Sequence, residues 1–111
     1  LIHGAWVTPG THIDTVGAFT PDRRETDDEV VRRARIYCDT LTGALHEGGD
    51  LVMPIAAGVI GREHVLGDLY GLCRGELQGR ASDDEVTYFK SVGTAVEDLA
   101  AAIAVWEGTL S

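Results

Sequence analysis

Cysteine, methionine, proline and positive charge are all scarce in these 111 residues, which hold 2 Cys, 1 Met, 3 Pro and 9 Lys or Arg against 18 Asp or Glu. Each shortage argues against a class of function. A formal net charge of -9 repels a phosphate backbone, and no basic cluster is longer than Arg32-Arg33 followed by Arg35, so nucleic acid is not expected as a partner. Cys38 and Cys73 stand far apart with no C-x-x-C pair and no neighbouring His, which argues against a disulfide or a metal clip and for two buried thiols. No two of His3, His12, His46 and His64 have the spacing of ligands on one helix, so no metal is expected. Long apolar runs are lacking too. Residues 51–60 are too short and too interrupted by glycine to cross a bilayer, and no basic-then-apolar leader opens the chain. A soluble, cytoplasmic protein with no membrane partner is the expectation.

What is present has the composition of an ordinary globular domain, 44% hydrophobic and 24% charged. The chain opens on Leu1 rather than Met, and residues 1–8 show no clear element start, with Trp6 and Val7 as expected buried anchors before the Pro9-Gly10 turn. It reads as an excerpt of a longer protein.

Residues 11–28, THIDTVGAFTPDRRETDD, write three local structures back to back. Thr11, Ile13, Thr15 and Val16 suit a strand. Gly17 and Pro21 punctuate a loop, and Thr26 with Glu29 forms a capping box opening a short helix to Ala34. A compact strand is expected over residues 35–39. Asp39 sits where a dinucleotide fold could place its ribose-binding acid, but no Gly-rich turn precedes it, so it is expected to share a helix cap with Thr40. The helix that follows, residues 41–47, is stopped by Gly48-Gly49.

Pro54 argues against a regular element in residues 50–60, which are expected as an irregular apolar connection with room for a short strand before the proline. Residues 62–77 read as one helix, with Gly67, Gly71 and Gly75 admitting a close neighbour. Ser82 to Val86, SDDEV, nearly repeats TDDEV at Thr26 to Val30, yet TYFKS follows it, so residues 86–90 are expected as a strand. A last helix starts at Thr94 with a capping box to Glu97. Its apolar stripe of Val96, Leu99, Ile103, Trp106 and Leu110 demands a cover, supplied by this chain's own sheet, by a second domain or by a partner subunit.

Strands alternating with helices across gaps long enough for crossovers predict an α/β fold with a largely parallel sheet. Two strands end in glycine, at Thr15-Val16-Gly17 and Ser91-Val92-Gly93, where a ligand can approach the backbone.

Residues 9–34, 49–60 and 86–102, containing PGTHIDTVGAFTPDRRETDDEVVRRA, GDLVMPIAAGVI and VTYFKSVGTAVEDLAAA, resemble the ornithine cyclodeaminase and mu-crystallin family in order over nearly the whole chain. The resemblance implies a Rossmann-like domain that binds NAD(P)H and a second domain, built from both chain ends, that dimerises. Residues 1–90 would be the second half of the Rossmann domain, and residues 91–111 the helix returning to the dimerisation domain. The Gly-rich fingerprint and the carboxylate-gripping basic residues would lie upstream. By the same implication Val16, Gly17, Ala18, Phe19, Ser91, Val92 and Gly93 meet the nicotinamide end of the cofactor, with Ser91 on its carboxamide.

Cyclodeaminases carry a reactive Asp where this chain has Phe19, and a phenyl ring cannot transfer a proton. The resemblance therefore favours the ketimine and cyclic imine reductase branch, acting on substrates such as pyrroline-2-carboxylate as a homodimer. An ornithine cyclodeaminase, an alanine-type amino-acid dehydrogenase and a non-catalytic mu-crystallin-like binding protein remain as alternatives. No residue is assigned a catalytic role. Arg24 is expected in a structural network with Glu25 or Asp22, and Lys90 matches the family without an assigned role.

Overall fold

A computed structural model of the chain describes residues 1–110. Its centre is a four-stranded, all-parallel sheet in the order β1-β4-β2-β3, formed by β1 (His12–Thr15), β2 (Arg35–Cys38), β3 (Val65–Asp68) and β4 (Thr87–Lys90). The last strand of the sequence runs between the first and second, with Thr15 and Cys38 both opposite Lys90. Among the described residues, four α-helices lie between the strands, α1 (Asp28–Arg33), α2 (Leu41–Glu47), α3 (Gly49–Ala56) and α4 (Leu69–Cys73), and α5 (Ala95–Leu110) follows β4. The expected α/β class and parallel sheet are present.

The core forms where sheet and helices meet. Ile13, Ile36, Cys38, Val65 and Tyr88 from the strands pack with Val30, Val31, Ala44 and Leu51 from α1, α2 and α3. Burial, with the charges of Asp39 and Asp68 adding to it, pushes the Cys38 thiol up to about 12, so it stays protonated. Cys73, expected as a second buried thiol, is exposed at the end of α4.

Several elements differ from the sequence reading. The cap of α1 is Asp27, whose side chain accepts from Val30 N and Gly4 N. Thr26 is instead wholly buried, its hydroxyl donating to Asp50. Residues 49–56 are helical despite Pro54, which lacks one backbone N–H and lies two residues from the end of the helix with its ring buried. Residues 62–77 are not one helix. They divide into a 3-10 turn (Arg62–His64), β3 and α4. A Cβ at Gly67 in β3 would lie 2.2 Å from the end of the Leu77 side chain, which also covers Gly71, so Leu77 would have to move to admit one. The predicted close approach is real, but its partner is the chain's own next loop.

Trp6, expected as an anchor, is exposed and stacks edge-on with His3. Residues 2 and 25–27 pair instead through Ile2 N to Glu25 O and Asp27 N to Ile2 O. Arg24 makes a structural network, though with Asp28 and the Thr26 carbonyl rather than with Glu25 or Asp22. The capping box of α5 forms as expected, Thr94 and Glu97 bonding each other's backbone N–H. Val96, Leu99, Ile103 and Trp106 are all uncovered, Trp106 being 65% exposed, so this chain's own sheet does not cover the stripe; the side chain of Leu110 lies outside the described residues. No helix among the described residues is long and apolar enough to cross a membrane.

Candidate functional site

Because β1 and β4 are adjacent and parallel, the two glycine-ended turns leave the same edge of the sheet side by side. Ser91 N donates to Thr15 O at 2.9 Å, which ties the second turn to the end of the first strand. Residues 16–19 and 91–93 are thereby brought together, although the sequence separates them widely.

In the first turn Phe19 N donates to Gly17 O at 2.7 Å and closes a tight three-residue bend. Ala18 is buried beneath it, whereas Val16 and Phe19 stand 61% and 59% exposed. Glu25 lies under the bend and its Oε1 accepts Ala18 N at 2.9 Å. A Cβ at Gly17 would fall 2.5 Å from that oxygen, so glycine lets the carboxylate sit there.

The second turn rests on Asp39. This nearly buried carboxylate accepts Thr40 N on Oδ1, and Val92 N and Gly93 N on Oδ2 at 3.1 and 2.8 Å. Thr40, not Asp39, caps α2 through its own hydroxyl. Gly93 has φ +91, and a Cβ there would meet nothing within 4 Å, so the bend faces open space. Val92 turns its side chain towards α2, within reach of Gly43 and Gly48, and offers the site its main chain. An amide at position 39 would present a single acceptor to three N–H donors. Asp39→Asn should therefore cost about 1–3 kcal/mol and loosen the second turn, measurable as a lower urea midpoint and faster amide exchange at Gly93. An unchanged exchange rate there would show that the turn holds itself.

Beneath both turns lies a set of polar residues in which the sequence reading named Thr26 as a cap, Glu25 as a partner of Arg24 and Lys90 without a role, and did not single out Asp50 or Tyr88. Asp50 is wholly buried, and its Oδ1 accepts Glu25 N, Thr26 N and the Thr26 hydroxyl, each at 2.8 Å. Its Oδ2 faces Lys90 Nζ at 3.4 Å, and Glu25 Oε1 is 3.8 Å from the same nitrogen. The Tyr88 hydroxyl reaches Thr15 Oγ1 at 2.9 Å and Thr26 Oγ1 at 3.4 Å. Burial first, and the Asp50 charge second, hold Tyr88 well above its ordinary pKa and therefore neutral. The alternation of β4 could have placed Tyr88 and Lys90 on one face, but nothing local linked that face to Asp50.

A cavity of about 200 Å³ lies to one side, floored by Asp39 and Thr40 and walled by Leu69, Tyr70, Thr94 and Val96. None of residues 16–19 or 91–93 lines it. Among the described residues, no group of three His, Cys, Asp or Glu side chains could hold a metal ion.

A model of the ornithine cyclodeaminase/mu-crystallin family matches residues 1–111. The Delta(1)-pyrroline-2-carboxylate reductase of Paracoccus denitrificans is 50% identical over 99 residues, covering 89% of this chain and 31% of that protein. Among solved structures, the Thermococcus litoralis Delta(1)-pyrroline-2-carboxylate reductase in complex with NADH and L-proline superposes with a TM-score of 0.89 at 39% identity, over 98% of this chain and 34% of that one. An archaeal alanine dehydrogenase dimer with bound NAD gives a TM-score of 0.85 at 38% identity, over 99% of this chain and 34% of that one. The chain spans about a third of the length of these relatives.

Proposed function

Because the chain belongs to the ornithine cyclodeaminase/mu-crystallin family, we propose that it forms part of an NAD(P)H-dependent reductase of cyclic imines such as pyrroline-2-carboxylate. Residues 1–90 then complete a Rossmann-type domain, residues 91–111 lead into a dimerisation domain, and the whole protein works as a cytoplasmic homodimer. The uncovered stripe of α5 supports that arrangement.

The observation that carries the reading is the pairing of the two turns. Residues 16–19 and 91–93 sit together at the carboxyl edge of a parallel sheet, the place where such sheets receive nucleotides, and their outer faces are open. Val16 and Phe19 offer uncovered apolar surface to a flat ring, and Gly93 allows an approach that a side chain would block. These features fit the nicotinamide end of a dinucleotide. No G-x-G-x-x-G stretch occurs in these residues to hold its pyrophosphate.

When bound, the dinucleotide supplies the hydride. Val16, Gly17, Ala18 and Phe19 would orient the ring and keep water from one side of it, while the Ser91 hydroxyl and the carbonyls of Val92 and Gly93, whose N–H groups Asp39 already holds, would fix its carboxamide edge. Hydride transfer depends steeply on such placement. Neither turn carries a group that titrates near neutrality, so these residues position and shield, and they move no proton. The phenyl ring of Phe19 in the first turn favours reduction over deaminating cyclisation.

The similarity to an alanine dehydrogenase supports a second reading, reversible amino-acid oxidation with the same cofactor. Both are tested on the complete protein by following NADPH and NADH consumption with pyrroline-2-carboxylate and its six-membered homologue, and NAD(P)+ reduction with alanine. Formation of proline or its homologue is expected. Tight cofactor binding without turnover of any of these compounds would replace both readings with a binding protein.

A further inference from the structure

Lys90 ends β4 as a wholly buried cation. Its Nζ and the Asp50 Oδ2 opposite it make no hydrogen bond, although 3.4 Å separates them. A buried ion pair of this kind gives little stability over an apolar pair of the same shape. Its role is better read from what its members hold. Glu25 takes Ala18 N of the first turn, and Asp50 fixes the backbone of Glu25 and Thr26, so both acids near Lys90 anchor the support of that turn. Lys90 itself precedes Ser91, and its carbonyl accepts Asp39 N at 3.3 Å; Asp39 in turn holds Val92 and Gly93. Lys90 therefore meets the supports of the first turn through its side chain and the support of the second through its main chain.

We propose that Lys90 is a positioning residue, which through Glu25 and Asp50 sets the first turn against the second and so fixes where the nicotinamide lies relative to the imine carbon. The inference rests on the reductase reading for its catalytic consequence and on geometry alone for the coupling. Lys90 is wholly buried, so it acts through the groups it holds.

The test uses the complete protein and two variants. Lys90→Met with Asp50→Asn removes the central charge pair together, which spares the fold an unpaired buried ion. Glu25→Gln keeps an acceptor for Ala18 N on a side chain that is 39% exposed, and removes only its attraction to Lys90. Hydride transfer from prebound NADPH, measured in a single turnover, should fall about 10- to 100-fold in the double variant, with NADPH affinity held within about threefold, a split expected when geometry rather than binding is lost. Amide exchange should quicken at Ala18, Val92 and Gly93 while Ile13 and Tyr88 keep parental protection.

A folded double variant with parental hydride transfer and parental exchange at both turns would overturn the proposal. If that variant does not fold, Glu25→Gln decides: a smaller fall with faster exchange at Ala18 supports the coupling, and parental values in both overturn it. If the parental protein reduces no imine, the reductase reading fails by itself. The exchange pattern then still judges whether Lys90 couples the turns.

Discussion

Asp50→Ala is expected to remove about 3–5 kcal/mol of stability, because it leaves the buried Lys90 charge with only the more distant, partly exposed Glu25 carboxylate at 3.8 Å. It also strands the donors Glu25 N, Thr26 N and the Thr26 hydroxyl, which all converge on one oxygen of Asp50. A domain holds only about 5–15 kcal/mol in total, so this single truncation takes a large share. Urea denaturation of the complete protein measures it, with Asp50→Asn as the milder companion that keeps an acceptor. A loss under about 1 kcal/mol would mean that Lys90 escapes to solvent when its partner goes, and that the cluster is less rigid than its burial implies.

Gly49→Ala should come close to that effect through sterics alone. A Cβ at this position would stand 1.7 Å from the Arg23 carbonyl oxygen and 2.7 Å from the Thr20 carbonyl oxygen. Both obstacles are backbone, so no rotamer change relieves them. Alanine would otherwise gain up to about 1 kcal/mol of helix propensity at the start of α3, and the clash reverses that sign. The expected loss is about 2–3 kcal/mol. Relief must come from shifting residues 20–25, which carry Glu25, so the same substitution should also disturb the first turn. A thermal midpoint equal to the parental one would show that this loop gives way freely. By contrast, nothing lies within 4 Å of a Cβ at Gly79, which makes Gly79→Ala a suitable control.

How far the sequence revealed this arrangement depended on whether the deciding contact was local. The strand at residues 87–90 was legible despite the echo of the α1 sequence, because TYFK favours a pleated surface whatever precedes it. The Thr94 and Glu97 cap was legible because both partners lie within one turn. Residues 62–77 were not. Val65, Leu66, Leu69 and Tyr70 satisfy a helical stripe, and the pairing of residues 65–68 with the distant β2 makes that part a strand instead. Thr26 was misread for the same reason: a threonine and an aspartate stand side by side before α1, and Asp50, far along the chain, claims the threonine. For the site, the two glycine-ended strands pointed to the turns. Their supports Glu25, Asp39, Asp50 and Lys90 are spread over most of the chain, and only the strand order brings them together.

That strand order also dictates a sequence of events in time. Of the four strands among the described residues, β4 is the last to be synthesised, and it lies between β1 and β2. Until residue 90 is available, β2 and β3 can pair but cannot be joined to β1 through β4. Pairing between such distant segments is slow, and the edge of β2 that β4 comes to cover is until then open to wrong partners. The arrival of β4 joins the two halves of the sheet and delivers Lys90 to Asp50 and Glu25 in the same step. Closure of the sheet and assembly of the support beneath both turns are therefore one folding event.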